Sequence, residues 1–162
     1  MNNRIALFFC SILAILIGAQ TARADILARY ECNMVDFFTQ EPMGDRPNHN
    51  LSFLQYSCVG VDGLLKGVLY SGSNTVEWDG LKGKIIVGSG IHRIPGGRLV
   101  TELTEGSVIA IMKDGKLIGT ESSGNGIVKL AVGSFATLNG KTVKFSTTPI
   151  SPIRWMLELT AE

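Results

Sequence analysis

The sequence predicts an all-β domain in which about 8 to 10 antiparallel strands close into a single barrel. Short apolar runs alternate with polar residues at a period of two, as in residues 28–34, where Ala28, Tyr30 and Cys32 share one face. Turn dipeptides and glycines separate many of these runs at intervals of about 8 to 12 residues, and no later stretch shows helical periodicity. Closure is expected because it removes the exposed edges that so many strands would leave in an open sheet.

Residues 1–24 are predicted to be a cleaved signal peptide. A short positive region precedes an apolar run over residues 5–17, and residues 22–24 give the small-x-small pattern that signal peptidase recognises. The alternative is a retained membrane anchor, but the apolar run is shorter than the roughly 20 residues of a spanning helix. We therefore predict a periplasmic or secreted protein in which residues 25–162 form one domain, with no stable membrane insertion.

The composition of residues 25–162 limits the classes of partner that we expect and indicates the redox state of the cysteines. The remaining 138 residues contain 13 basic and 14 acidic residues, so nothing in the charge predicts nucleic-acid binding. Two cysteines remain, Cys32 and Cys58, and an even pair in an exported chain predicts one disulfide, the alternative being two buried thiols. Pairing residues 28–34 with a second strand at residues 51–59 would bring both cysteines to the same side of neighbouring strands.

The first half of the domain divides at its prolines and glycines. Residues 36–50 contain two prolines and predict a long loop or rim excursion, because proline removes a ladder donor. Residues 51–59 follow as a strand. Short strands at residues 66–70 and 75–78 are expected on either side of a turn at residues 71–74.

Residues 84–94 form the next predicted strand, which carries Gly88 and Gly90 on one face. Glycines at this spacing mark a barrel corner or a close approach of another chain segment. Pro95 ends the strand, and residues 99–103 are β-like again.

Residues 107–146 predict an antiparallel meander, because three dipeptides in it have the chemistry of tight hairpin turns. These dipeptides are Asp114-Gly115, Asn125-Gly126 and Asn139-Gly140. Residues 146–152 predict an irregular connector with two prolines, and residues 153–160 predict a closing strand with Trp155, Leu157 and Leu159 on one face.

Part of this pattern resembles a known family. The segments are Met112–Gly115, Gly124–Gly126, Val132–Ala136 and Leu138–Lys141. In this order they resemble the bacterial secreted relatives of allene oxide cyclase and dirigent proteins, over roughly residues 106–160. The resemblance implies an eight-stranded antiparallel barrel, self-association into a homo-oligomer, and cyclase or isomerase chemistry that shapes a reactive substrate. It assigns no catalytic residue.

Motifs for metal or nucleophilic chemistry are weak in this chain. Its two histidines, His49 and His92, are 43 residues apart and lack the ligand spacing of a zinc site, so no metal and no cofactor is predicted. We expect His49 to be solvated in its polar loop, and His92 to be an ordinary strand residue. Gly88-Ser89-Gly90 is not a nucleophile elbow, because no helix follows it.

The aromatic residues give the better functional lead. Most of them are expected to fill the core, but a small barrel with an open mouth can keep an apolar pocket for one ligand. The residues predicted to line such a pocket are Tyr56 and Trp78 as its wall, with His92 or Glu102 as its polar group.

Three functions remain open from the sequence. The first is a binding module for a small apolar ligand, and the second is a cyclase or isomerase. The third is a periplasmic structural or inhibitory partner protein that acts through its outer face or through residues 36–50. We favour binding over catalysis, because no catalytic motif was found.

Overall fold

The computed structural model of the protein describes residues 25–36 and 39–161. The predicted signal peptide, residues 1–24, lies outside these described residues. Within them the chain forms nine β-strands and one short 3₁₀ helix, Ala136–Leu138. The strands are β1 Asp25–Met34, β2 Thr39–Pro42, β3 His49–Asp62, β4 Leu69–Asp79, β5 Lys82–Ile94, β6 Gly97–Lys113, β7 Lys116–Gly133, β8 Thr142–Ser151 and β9 Arg154–Ala161.

Eight of these strands close into an antiparallel barrel, as the sequence predicts. Their order is β1-β9-β8-β7-β6-β5-β4-β3, and β1 also pairs with β3, which completes the ring. The short β2 continues the line of β1 along β3, since Met34 pairs with Tyr56 and Thr39 pairs with Phe53. The chain between these two pairs has two more residues than the facing part of β3.

One ladder of the barrel is interrupted. Strand β5 pairs with β6 from Lys82 to Lys84 and again from Ser89 to Ile94, without a change of register. No pairing joins residues 85–88 to residues 103–106 on the facing strand. Each strand also bulges against its other neighbour next to this interruption.

The predicted disulfide is confirmed. Cys32 of β1 and Cys58 of β3 are directly opposite each other, with Cα atoms 4.0 Å apart, and they form a disulfide bond. Both residues are fully buried. A buried disulfide is compatible with an oxidising location outside the cytoplasm.

One end of the barrel is closed by side chains. The turn between β3 and β4 contributes Leu65 and Val68, and the segment around the 3₁₀ helix contributes Phe135 and Leu138. These residues belong to a continuous buried cluster that includes Tyr30 and much of the inward face around it. At the opposite end lie residues 34–36 and the β4–β5, β6–β7 and β8–β9 turns.

Two predicted turns are wrong, and for a common reason. Asp114-Gly115 does form the β6–β7 hairpin, with Asp114 and Gly115 at φ angles of 50° and 73°. Asn125-Gly126, however, lies inside β7, and residues 71–74 lie inside β4. Both segments pair with neighbouring strands on two sides, and these tertiary hydrogen bonds override the local turn preference.

The two proline-rich segments are also more regular than expected. Residues 36–50 contain the four-residue β2, and residues 146–151 belong to β8. Pro149 is tolerated in a strand because the described pairing of β8 with β7 ends at Ser146, so the proline nitrogen faces an edge without a ladder.

Candidate ligand-binding cavity

The half of the barrel opposite the closed end contains a cavity of about 530 Å³. It is lined from every barrel strand and extends to the loop end, where Asp36 and Pro152 border it. The size lies within the range of about 300 to 1,000 Å³ that small-molecule sites occupy. The barrel interior is therefore filled at one end and open at the other.

Apolar side chains form most of the cavity wall. They include Val76, Ile85, Leu103, Val108, Phe145 and Leu157. Both tryptophans of the chain, Trp78 and Trp155, also line it. The indole nitrogen of Trp78 donates to Ser52 Oγ over 2.8 Å, so this buried ring is satisfied without a ligand.

Two tyrosines and a threonine line the deep end of the cavity. The hydroxyl oxygens of Tyr56 and Tyr70 are 2.9 Å apart, and their rings meet edge to face with centroids 5.5 Å apart. Thr101 also lines the cavity. Tyr56 touches Trp155 in a second edge-to-face contact, which ties this floor to the wall.

A buried histidine supports this floor from behind. His92 is fully buried and stacks on Tyr70, with ring centroids 3.9 Å apart and planes 5° apart. Its Nδ1 atom is 2.7 Å from the hydroxyl of Tyr30, and its Nε2 atom is 3.1 Å from Thr101 Oγ1. The hydrogen bond of His92 to Thr101 and its stacking on Tyr70 therefore join the floor of the cavity and the network beneath it into one unit.

Burial keeps every titratable group of this unit neutral. Loss of solvation, with a smaller contribution from the Arg93 charge, lowers the pKa of His92 to about 3. Burial is also the main cause that raises the pKa of Tyr30, Tyr56 and Tyr70 above the ordinary value of 10.0. At neutral pH the unit therefore contains one imidazole and several hydroxyls, without a charge.

Glycines on the inward faces make room for the aromatic rings. Tyr56 is paired with Gly72, and a Cβ atom on that glycine would be 2.6 Å from the tyrosine hydroxyl. In the same way a Cβ atom on Gly90 would overlap the ring of Tyr70. Trp78 lies against Gly83, its direct partner on β5. Each ring thus covers a glycine of the next strand. A glycine has no side chain to cover its own backbone, and the aromatic ring takes that place.

The predicted site residues divide between the cavity and the network behind it. Tyr56, Trp78 and Glu102 all line the cavity. His92 is outside the cavity lining, because Tyr70 and Thr101 stand between it and the open space. The carboxylate of Glu102 is half exposed and pairs with Lys129 over 3.3 Å.

Sequence reasoning missed Tyr70 and Thr101. Tyr70 and Trp78 are an even number of residues apart on β4, so they lie on the same face of the strand. This spacing could have placed Tyr70 in the cavity wall beside Trp78, but the turn predicted at residues 71–74 divided the strand between them. Thr101 carried no signal, since an inward threonine is ordinary until the register places it against His92.

Among the described residues, the cavity lining contains no cationic side chain, and the exposed carboxylate of Glu102 pairs with Lys129. Asp36 and Glu102 are the charged residues of this lining. An anionic ligand group would therefore lose its hydration without gaining a positive partner from these residues.

His49 is not solvated, contrary to expectation. It is 7% exposed, with Nδ1 in contact with the carboxylate of Asp45 and Nε2 2.9 Å from that of Glu77. These hydrogen bonds are the main cause that raises the pKa of His49 above its ordinary value. Across residues 25–36 and 39–161, no group of three or more His, Cys, Asp or Glu side chains is arranged to hold a metal ion.

Comparisons with protein-family models, with curated proteins and with solved structures give no match for this chain. The described part of the chain has no helix with the length and apolar character needed to cross a membrane. The site must therefore be interpreted from its own geometry.

Proposed function

We propose that this protein is a binding module that holds one small apolar ligand in its barrel. The observation that carries the proposal is the cavity of about 530 Å³, with apolar walls and a few hydroxyls gathered at its deep end. Ligand sites in proteins have this composition, in which apolar side chains supply affinity and a few polar groups set orientation. An eight-stranded barrel is also of the size that encloses one small ligand.

The wall supports an apolar ligand rather than a polar one. Trp78, Phe145 and Trp155 present large aromatic surfaces to the cavity, and burying such surface against a ligand is favourable at about 25 cal/mol per Å². The hydroxyl and indole groups at the floor and wall already have partners within the protein, so a ligand need not satisfy many polar atoms.

Binding is favoured over cyclase or isomerase chemistry because of the floor's acid–base properties. General acid–base catalysis works best with groups whose pKa lies near the working pH. Burial moves the pKa of His92 down to about 3 and raises the pKa of Tyr56 and Tyr70. At neutral pH His92 is therefore an uncharged imidazole and both tyrosines keep their protons, so these groups are suited to hydrogen bonding rather than to proton transfer.

We also infer that the ligand is met outside the cytoplasm. The Cys32–Cys58 disulfide is buried, and disulfides persist in oxidising compartments such as the periplasm. A periplasmic or secreted binding protein encounters apolar molecules in water, where a closed barrel can shield them.

Intrinsic fluorescence gives a direct test, because both tryptophans border the cavity. Titration with bromodecane, whose bromine quenches indole emission on contact, should give a saturable loss of tryptophan fluorescence. Unbrominated decane should reverse it by competition. Quenching that stays linear with concentration and is not reversed by decane would reject the proposal, since it would reflect collisions at the surface.

A further inference from the structure

One amide in the cavity wall has no partner within the described part of the protein. Asn74 of β4 is paired with Leu54 on β3 and with Gly88 on β5, and it lines the cavity. Among residues 25–36 and 39–161, no side chain or backbone group forms a hydrogen bond with its amide. The other asparagine that lines the cavity, Asn125, donates to the carboxylate of Glu105. Asn74 is therefore an amide that the fold itself does not use.

A glycine makes room for this amide. A Cβ atom on Gly88 would lie 2.8 Å from Asn74 Oδ1 and 3.1 Å from the Cβ atom of Leu103. Any larger residue at position 88 would displace one of these two side chains. The amide of Asn74 and the side chain of Leu103 thus meet over Gly88, so the polar group stands directly beside an apolar one.

The amide of Asn74 is open to the cavity. In the part of the chain that the structure describes, every fully buried side-chain nitrogen or oxygen atom has a hydrogen-bond partner. The amide of Asn74 has none, so its polar atoms are not fully buried and must reach open space. Because Asn74 lines the cavity, that space is the cavity. Only water or a ligand held there can satisfy the amide, and an unsatisfied amide in an apolar wall is costly.

The chemistry of the amide limits the group that would satisfy it. A primary amide carries two N–H donors and one carbonyl acceptor, and in Asn74 both kinds are unused. A hydroxyl group can donate to the carbonyl oxygen and can also accept from the N–H group. An ether oxygen can only accept, so it leaves the carbonyl of the amide without a partner.

We propose that Asn74 is the residue that recognises the polar group of the ligand, and that this group is a hydroxyl on an otherwise apolar molecule. The ligand class rests on the proposed function, because it concerns the same cavity. The apolar side chains around Asn74, among them Leu54, Val76 and Leu103, would contact the rest of such a molecule. The described lining contains no cation, so an uncharged alcohol suits it better than an anion.

The test compares decane, decanol and methyl nonyl ether, an isomer of decanol that lacks the donor. Their affinities are measured by competition with bromodecane, for the wild-type protein and for Asn74→Leu, which keeps a similar shape. We expect Asn74→Leu to lower the affinity ratio of decanol to decane by about three- to tenfold, the effect of one net hydrogen bond. The ratio of ether to decane should fall less. An unchanged ratio of decanol to decane overturns the proposal.

A structural role for Asn74 would change a different quantity. Asn74→Leu removes no hydrogen bond to a described residue, and leucine suits the apolar wall. The free energy of unfolding, measured with urea, should therefore equal or exceed that of the wild-type protein. A less stable variant with an unchanged ratio of decanol to decane would assign Asn74 to the fold and overturn its role in recognition.

The second asparagine of the lining supplies the matched control. Asn125→Leu makes the same chemical change where the amide already has Glu105 as its partner. It should leave the affinity ratio of decanol to decane close to the wild-type value. Equal falls in this ratio for both variants would overturn the assignment to Asn74.

A further measurement needs no variant and decides the matter if Asn74→Leu fails to fold. In proton–nitrogen correlation spectra of the wild-type protein, saturation with decanol should move the side-chain amide signals of Asn74 further than saturation with decane does. The reason is that a hydrogen bond changes the shielding of the donated proton. Equal movement with the two ligands overturns the proposal.

The outcomes separate the two proposals. If decane binds but Asn74→Leu changes the affinities of decane and decanol by the same factor, the hydroxyl-bearing ligand is rejected and the apolar binding module stands. If neither decane nor decanol binds the wild-type protein, both proposals are rejected.

Discussion

The imidazole of His92 lies flat on the ring of Tyr70, with centroids 3.9 Å apart, while its two nitrogens hydrogen-bond Tyr30 and Thr101. This relationship joins side chains from β1, β4, β5 and β6. It makes His92 a structural support of the cavity floor.

Replacing His92 with leucine should destabilise the fold. His92→Leu keeps a similar volume but leaves the buried hydroxyl of Tyr30 without an acceptor and removes the imidazole partner of Thr101. Unsatisfied buried groups cost about 1 to 3 kcal/mol each, so we expect a loss of about 2 to 4 kcal/mol in the free energy of unfolding, measured with urea. Arg93→Leu, a change at the exposed neighbour, should cost about 0.5 kcal/mol or less. Similar losses in the two variants would contradict the buried network.

The two histidines should give stability opposite dependences on pH. The pKa of His92 is about 3 in the fold and near 6.5 when unfolded, so between these values the unfolded chain binds a proton that the fold does not. Stability should therefore fall as pH drops below about 6.5, with the slope of one proton, and His92→Leu should lack this contribution. The measurement is urea unfolding of both proteins between about pH 4 and 7.

His49 supplies the opposite control, because its carboxylate partners raise its pKa in the fold. Its stabilising effect is complete below the unfolded pKa and is lost as pH rises through the raised value. The stability deficit of His49→Gln should accordingly shrink at alkaline pH, whereas the deficit of His92→Leu should not. If the stability deficits of His49→Gln and His92→Leu change with pH in the same way, the environments described for the two histidines are wrong.

Filling the small space at Gly72 should disturb the cavity floor. In Gly72→Ala the new methyl group would lie 2.6 Å from the hydroxyl of Tyr56, so the tyrosine ring must move. Overpacking of this kind costs about 1 to 3 kcal/mol, and the affinity for decane should fall as well, because the displaced ring enters the cavity. Ser71→Ala, on the outward face of the same strand, is the matched control and should affect neither quantity. A Gly72→Ala variant as stable as Ser71→Ala would show that Tyr56 does not cover this glycine.

Reducing the cavity volume should weaken binding without touching the floor. Val108 points into the cavity, and its neighbour Ile109 points outward with 47% of its surface exposed. We expect Val108→Phe to lower the affinity for decane by about tenfold or more, since the added ring occupies the ligand's space. Ile109→Phe should bind as the wild-type protein does. If competition titrations give equal affinities for both variants, the ligand does not occupy this cavity.

Local chemistry was enough to predict the barrel and the disulfide. Apolar and polar residues alternate along β1 and β9 because one face of each strand is exposed to solvent. This alternation placed Tyr30 and Trp155 on strands correctly. Cys32 and Cys58 were paired because strand alternation and cysteine count agree. The glycine rule at Gly90 also succeeded, as the ring of Tyr70 does approach the backbone there.

The cavity floor could not be predicted, because it depends on register. Nothing local places Tyr30, Thr101 and His92 together, as they come from three strands and Tyr30 is 62 residues from His92 along the chain. His49 was expected in water for the same reason, since Glu77 reaches it from the next strand. A single histidine in a sequence carries no sign of the partners that barrel closure brings to it.

The interrupted ladder between β5 and β6 has a consequence for how the wall moves. Along residues 85–88 and 103–106 the two strands are held by side chains such as Ile85 and Leu103, because backbone pairing is absent there. Separation of these two segments therefore breaks no backbone hydrogen bond between β5 and β6. We expect amide deuterium uptake to begin in these unpaired segments. We also expect a ligand too wide for the open end of the barrel to enter the cavity laterally, between these two segments.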